Sequence, residues 1–229
     1  MIEAILHLSK KYHGNWNKIY HAITSRERIE ILTVDRNKEK FFFITENDYP
    51  DKLKEILAPP FFMYYEGRAD LINKDVLSIN GDISFDEFEQ LLEEQNSNKY
   101  VLCLDNHELK KEIFDLVMKK NREVIVVCEG GISSFKYYKD YKNLLLISEY
   151  NDPQNYDPCD DQTVQRLMFA MSNKIYVSKV DKIETNNLLF NLQQVKKPIY
   201  YKESQKLAID NLNLTNTEMF CIQNIQDVI

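Results

Sequence analysis

Four short segments carry residue types able to hold an anion or a nucleic acid. Asn80-Gly81-Asp82-Ile83-Ser84 joins a predicted strand to a predicted helix, the position where backbone N–H groups at a helix start meet phosphate in open parallel sheets. It offers Gly81 but sets Asp82 where the phosphate would sit. Cys128-Glu129-Gly130-Gly131 is a glycine pair that makes either a tight turn or a close backbone approach to a ligand, the turn being the plainer reading. Ser148-Glu149-Tyr150 opens a loop containing Pro153 and Pro158, which reads as a lid or as a plain connection. Tyr137, Tyr138 and Tyr141 are interleaved with Lys136, Lys139 and Lys142. That pattern suits base stacking and phosphate contact on a single strand, and a solvated amphipathic helix accounts for it as well.

Other chemistries lack their residues. There is no G-x-G-x-x-G dinucleotide fingerprint and no G-x-x-x-x-G-K-[ST] loop, so no cofactor is expected. His107 has no candidate nucleophile near it in sequence, and Asp160-Asp161 sits at a predicted helix start, where N-capping accounts for it. His7, His13 and His21 have no clustered carboxylates or cysteines beside them and read as surface or packing residues. Cys103, Cys128, Cys159 and Cys221 form no C-x-x-C pair, which argues for reduced, mostly buried thiols and against a zinc site or a disulfide framework. The chain is expected to be a binding protein without catalysis.

The elements that must position these loops follow from periodicity. Residues 2–34 read as short helices broken at Gly14-Asn15, with Ile5, Leu8 and Tyr12, then Trp16, Ile19, Tyr20 and Ile23, at helical spacing. A strand is predicted over 40–45, a short helix after Tyr49-Pro50 with Leu53, Ile56 and Leu57 on one side, a stop at Pro59-Pro60, and a second extended segment over 61–65. From residue 75 apolar strands alternate with amphipathic helices, the signature of βαβ units around a parallel sheet. Strands are expected at 76–79, 100–104, 123–127, 144–147, 174–178 and 198–201. The crossover helices fall at 108–120, 161–171, 185–195 and after Ser84, whose spacing to Glu87 forms a capping box ahead of Phe85, Phe88, Leu91 and Leu92. A short terminal helix is expected over 224–229. The organisation is a helical N-terminal region over 1–38 and an extended Rossmann-like α/β domain over 39–229, with its core at about 75–202.

Composition bounds the function. The 229 residues suffice for one substantial α/β domain with a small appendage. Their formal net charge of −7, from 36 acidic and 29 basic residues, opposes indiscriminate nucleic-acid binding and leaves room for a local basic patch. Five glycines are few for a phosphate-cradling fold. Apolar runs such as 41–44 and 144–147 are strand-sized against the ~20 residues of a bilayer span. No membrane partner is expected, and the N-terminus carries no export signal, which predicts a cytoplasmic protein.

Over nearly the whole chain, the order of these segments resembles the DNA-processing protein A family, also called Smf. The family's Y-P-x-x-L-x-E-I-x-x-P-P entry motif is matched by Tyr49-Pro50, Leu53, Glu55-Ile56 and Pro59-Pro60, followed by Tyr64-Tyr65 and Gly67. Its S-E-Y is matched by Ser148-Glu149-Tyr150, and its R-N-R-x-I-A-x-L-S segment by residues 164–172, where Arg166 and Ser172 are kept. The closing residues 225–229 also look like the family's last segment. The resemblance implies a helical N-terminal domain before an extended Rossmann fold, single-stranded DNA as ligand, delivery to a strand-exchange recombinase during DNA uptake, and a homodimer. It also implies a nucleic-acid site around Gly81, Gly130, Ser148 and Arg166. The departures fall on phosphate-binding positions. The family's G-S-R reads Gly81-Asp82-Ile83, its S-G-x-A-x-G-I-D loop reads as residues 102–109 without a glycine, and its S-G-S-x-x-T shrinks to something like 182–185. The alternative is a relative that has kept the fold, lost DNA binding, and serves as a protein-interaction or small-ligand sensing module.

Overall fold

The computed structural model describes residues 2–29, 40–93, 99–137, 140–150, 162–180, 185–215 and 217–229. Two helices open the chain, α1 (Ile2–Lys11) and α2 (Trp16–Thr24), the second capped by the Asn15 side chain, which accepts from Lys18 N–H at 3.0 Å. Strand β1 (Phe41–Phe43), the short α3 (Asp51–Lys54) and β2 (Phe62–Gly67) follow. The remainder alternates as the periodicity predicts: β3 (Val76–Asn80), α4 (Phe85–Glu93), β4 (Val101–Asp105), α5 (Lys111–Lys119), β5 (Val124–Val127), β6 (Leu144–Ser148), α6 (Gln162–Met171), β7 (Lys174–Val177), α7 (Thr185–Gln194), β8 (Ile199–Lys202), α8 (Lys206–Asp210) and β9 (Met219–Ile222).

All nine strands form one sheet in the order β1-β2-β6-β5-β4-β3-β7-β8-β9. The seven from β6 to β9 are parallel, while β2 adds antiparallel to β6 and β1 antiparallel to β2. Parallel strands buried on both faces need apolar residues on both, and the pleat sorts them. Val101, Cys103, Ile125, Val127, Leu145 and Ile147 pack toward α6 and α7, and Leu102, Leu104, Val124, Val126, Leu144 and Leu146 toward α4 and α5. Helices α1 and α2 cover the β1–β2 extension, Leu6 sitting with Phe41, Phe43, Phe62 and Tyr64.

Several local expectations are corrected. Helix α3 ends at Lys54, and Leu57, assigned to its buried side, is 77% exposed. Phe85, placed on the buried stripe of α4, is exposed because it occupies the first position of the helix, before the apolar face meets the sheet. Ser84 does accept from Glu87 N–H at 3.3 Å, but the Glu87 carboxylate turns to the buried Tyr176 hydroxyl and to Lys202 Nζ at 3.0 Å. The described residues of the Lys-Tyr segment are not helical. Ile132–Ser134 is a single 3-10 turn, and Tyr137 and Tyr141 send their hydroxyls to the Leu109 and Arg122 carbonyls, each at 2.6 Å, with both rings against Phe114. Strand β9 and helix α8 were unanticipated, and the tail forms a 3-10 turn, Ile225–Val228. Cys103 and Cys128 are buried and Cys221 is exposed. The Pro153–Pro158 loop, Asp160-Asp161, Cys159, Tyr138, Lys139 and 182–184 lie outside the described residues.

Where β2 joins the parallel sheet, the chains approach closely. Gly67 adopts φ +98°, and a Cβ there would lie 2.2 Å from the Leu144 carbonyl oxygen. Gly67→Ala is therefore expected to cost roughly 1–3 kcal/mol, read as a lower denaturant midpoint with unchanged slope. An unchanged midpoint would show that the β2–β6 junction relaxes freely.

Candidate nucleic-acid interface

Strand order reverses between β3 and β7. The connections after β3 lead one way through β4, β5 and β6, and those after β7 lead the other way, so the loops beyond these two carboxyl ends diverge and leave a crevice. Gly81 stands at its floor. Its φ is +88°, and a Cβ would meet the Lys179 carbonyl at 2.7 Å and Ser178 Oγ at 2.9 Å, so both the conformation and the space demand glycine. The crevice is a small cavity of about 140 Å³ lined by Asn80, Gly81, Asp82, Glu108, Gln165 and Lys179.

The polar groups of this crevice face each other. Gly81 N–H donates to Glu108 Oε2 at 3.0 Å, so the backbone donor suited to a phosphate oxygen already holds a carboxylate of the same chain. Asp82 pairs with Lys110 Nζ at 2.7 Å. Beside them, Asp105 ends β4 and accepts from His107 N–H at 2.8 Å. Burial, then the nearby Glu108 and Glu129 carboxylates, push its own carboxyl up to about 7, against the pull of the His107 N–H. The β4 side of the rim thus carries Asp105 and Glu108, with Lys110 of the same connection held by Asp82, while Lys179 lines the crevice from the β7 side.

The other three residues singled out in the sequence form a connected cluster. Gly130 and Gly131, at φ +67° and +100°, build a turn closed by Ser134 Oγ, which donates to the Glu129 and Gly131 carbonyls. Ser148 is fully buried. Its hydroxyl donates to the Cys128 carbonyl at 2.7 Å and accepts from Tyr150 N–H at 3.1 Å, tying this turn to the loop after β6. The next residue, Glu149, pairs with Arg166 Nη2, while Arg166 Nη1 donates to the Ala58 carbonyl at 2.7 Å. Tyr49 OH reaches the neighbouring Pro60 carbonyl at 2.8 Å. The entry motif, the Ser-Glu-Tyr loop and α6 are therefore bolted to each other by Arg166.

The architecture matches two solved structures. DNA processing protein A (DprA) from Streptococcus pneumoniae superposes with a TM-score of 0.62 over 93% of this chain and 79% of that one, at 17% identity. DNA processing protein A from Helicobacter pylori, described through its single-stranded DNA binding mode, superposes with a TM-score of 0.59 over 83% of this chain and 93% of that one, at 18% identity. This chain has the DprA fold. No family model and no curated protein matches the sequence.

Against the DprA fold, the motif residues read from the sequence separate into two places: Gly81 at the switch crevice, and Gly130, Ser148 and Arg166 in the adjoining bolted cluster. Sequence reasoning missed Glu108, Gln165 and Lys179 as crevice residues. The periodicity assigns Glu108 to a helix start, whereas it precedes α5, and its place in the segment lacking the family's glycines is the available signal. No group of His, Cys, Asp and Glu suited to a metal ion occurs among the described residues, and none of their helices is long and apolar enough to cross a membrane.

Proposed function

We propose that this chain is a DprA-like protein that binds single-stranded DNA without catalysis, at the rim formed by the carboxyl ends of the parallel strands. The observation that carries this reading is the DprA fold itself, with a left-handed glycine at the sheet's switch point. Gly81 and Gly130 supply backbone at the rim, while Ser148 and Arg166 act as positioning residues that hold its loops. Lys110 and Lys179 bring the positive charge, and Glu108 must leave the Gly81 N–H before a phosphate can replace it. Hand-over to a strand-exchange recombinase, a role in DNA uptake, a cytoplasmic site of action and a homodimer belong to the same reading.

Fluorescence anisotropy with a labelled single-stranded oligonucleotide, at low and moderate salt, tests it. The parent protein should bind weakly and with salt sensitivity. Glu108→Ala should tighten binding about tenfold, the order of one charge-assisted hydrogen bond returned to the ligand. Absence of binding by both proteins at low salt would sink the reading. One observation favours a second reading, a fold kept for protein contacts or small-ligand sensing after loss of DNA binding: the crevice is already satisfied by its own Glu108.

A further inference from the structure

At the opposite end of the sheet from the Gly81 crevice, a cavity of about 250 Å³ opens between α3, the end of α6 and the segment joining α7 to β8. It lies by the amino ends of β3, β7 and β8, whereas the crevice lies beyond carboxyl ends. A single water needs on the order of 10–15 Å³ of such space, so a small polyatomic ion fits with part of its hydration shell. Lys52, Lys196 and Lys197 line the cavity, and Glu55 is the one carboxylate among its described lining residues.

The three ammonium groups are poorly compensated. Lys52 Nζ donates to the Lys74 carbonyl at 2.8 Å and to Asn173 Oδ1 at 2.9 Å, both neutral acceptors, and Asn173 Oδ1 is itself fixed by Val76 N–H at 3.0 Å. These bonds hold the ammonium in place without neutralising it. Lys197 meets Glu55 only at 3.9 Å, and Lys196 has no ionic partner among the described residues. Burial first, then the like charge of Lys197, holds the Lys52 ammonium below the usual lysine range, and Lys197 weighs on it more than either Asp75 or Glu55 does. The carbonyls that end α7 at Gln194 add roughly half a negative charge. Three cations against Glu55 and that helix end leave the cavity wall with an excess of about one and a half positive charges.

We infer that this cavity binds the dianionic terminal phosphate of a small molecule, either inorganic phosphate or a nucleoside monophosphate. A terminal phosphate carries close to two negative charges near neutral pH, which matches the excess, and its oxygens accept from ammonium groups set around them. A phosphodiester of a DNA backbone carries a single charge and matches it less well. The site does not depend on the reading of the Gly81 crevice.

Titration of the isotope-labelled intact protein at constant ionic strength, followed through backbone amide NMR shifts, tests it with inorganic phosphate, thymidine 5′-monophosphate and dimethyl phosphate. Saturable shifts at residues around Lys52, Glu55 and 195–197 are expected with the first two. Similar half-saturation by both assigns the site to the phosphate group alone, and tighter binding of the nucleotide assigns it to a nucleotide's end; either supports the inference. Dimethyl phosphate, a monoanion like the DNA backbone, should bind about tenfold more weakly. Lys196→Gln and Lys197→Gln should each weaken half-saturation by phosphate about tenfold. Glu55→Gln should tighten it several-fold, a gain that lysines serving only the end of α7 would not give. Glu108→Ala should leave these shifts unchanged, which separates failure here from failure at the crevice. No saturable shift at these residues into the millimolar range, equal affinity for dimethyl phosphate, or indifference to both lysine substitutions would overturn the inference.

Discussion

Replacing Arg166 with methionine is expected to destabilise the fold by roughly 3–5 kcal/mol, the cost of removing one member of a buried ion pair. The side chains of Arg166 and Glu149 are 16% and 8% exposed, so water screens the pair poorly. The substitution takes the counter-charge from a buried carboxylate and a donor from the Ala58 carbonyl, loosening α6 from the entry motif. Denaturant unfolding of the parent, Arg166→Met, and Arg166→Met combined with Glu149→Leu measures it. The double variant should recover most of the loss, because it no longer buries a lone charge. A loss below about 1 kcal/mol in the single variant would place the pair among solvated surface bridges. Weakened DNA binding in an Arg166 variant therefore reports a contact only when its unfolding curve matches the parent's.

The second large effect concerns pH. Asp105 is raised from an ordinary 3.8 to about 7, chiefly by burial. Between these values the unfolded chain has released this proton while the folded chain keeps it, so stability falls as pH rises through the window and levels off above about 7. Three pH units correspond to on the order of 4 kcal/mol for this one group. Asp105→Asn keeps an oxygen for the His107 N–H and cannot ionise. It should match the parent near pH 4, exceed it by a few kcal/mol at pH 8, and flatten the slope of stability between. Parallel pH profiles for the two proteins would show that Asp105 ionises freely in the folded state.

The contrast between what could and could not be read from the sequence has physical causes. The core strands were legible because parallel strands covered on both faces must be almost wholly apolar, as Val124–Val127 and Leu144–Ser148 are. Strand β9, Met219–Ile222, was not, because it pairs only with β8 and leaves Phe220 and Cys221 exposed, so its pattern is diluted. The tyrosine stripe misled because Tyr137 and Tyr141 share helical spacing, whereas their hydroxyls are spent on the Leu109 and Arg122 carbonyls, a long-range demand invisible locally. At the crevice, Gly81 was legible from its strand-turn-helix setting. Its partner Glu108 lies 27 residues away, brought there by the pairing of β3 with β4 and by the loop that follows, and no periodicity encodes that meeting.

If the crevice takes the anion proposed for it, that meeting makes it an exchanger. Glu108 is a competitor tethered to the site it occupies, present at a fixed effective concentration that dilution of the protein cannot lower. An incoming anion is discounted by the same factor at every protein concentration. A lone phosphate or free nucleotide, with one contact to gain, should lose that competition, while a polymer that engages several loops at once can displace the carboxylate as one contact among many. Preference for an extended ligand over its monomer would then arise from a single glutamate.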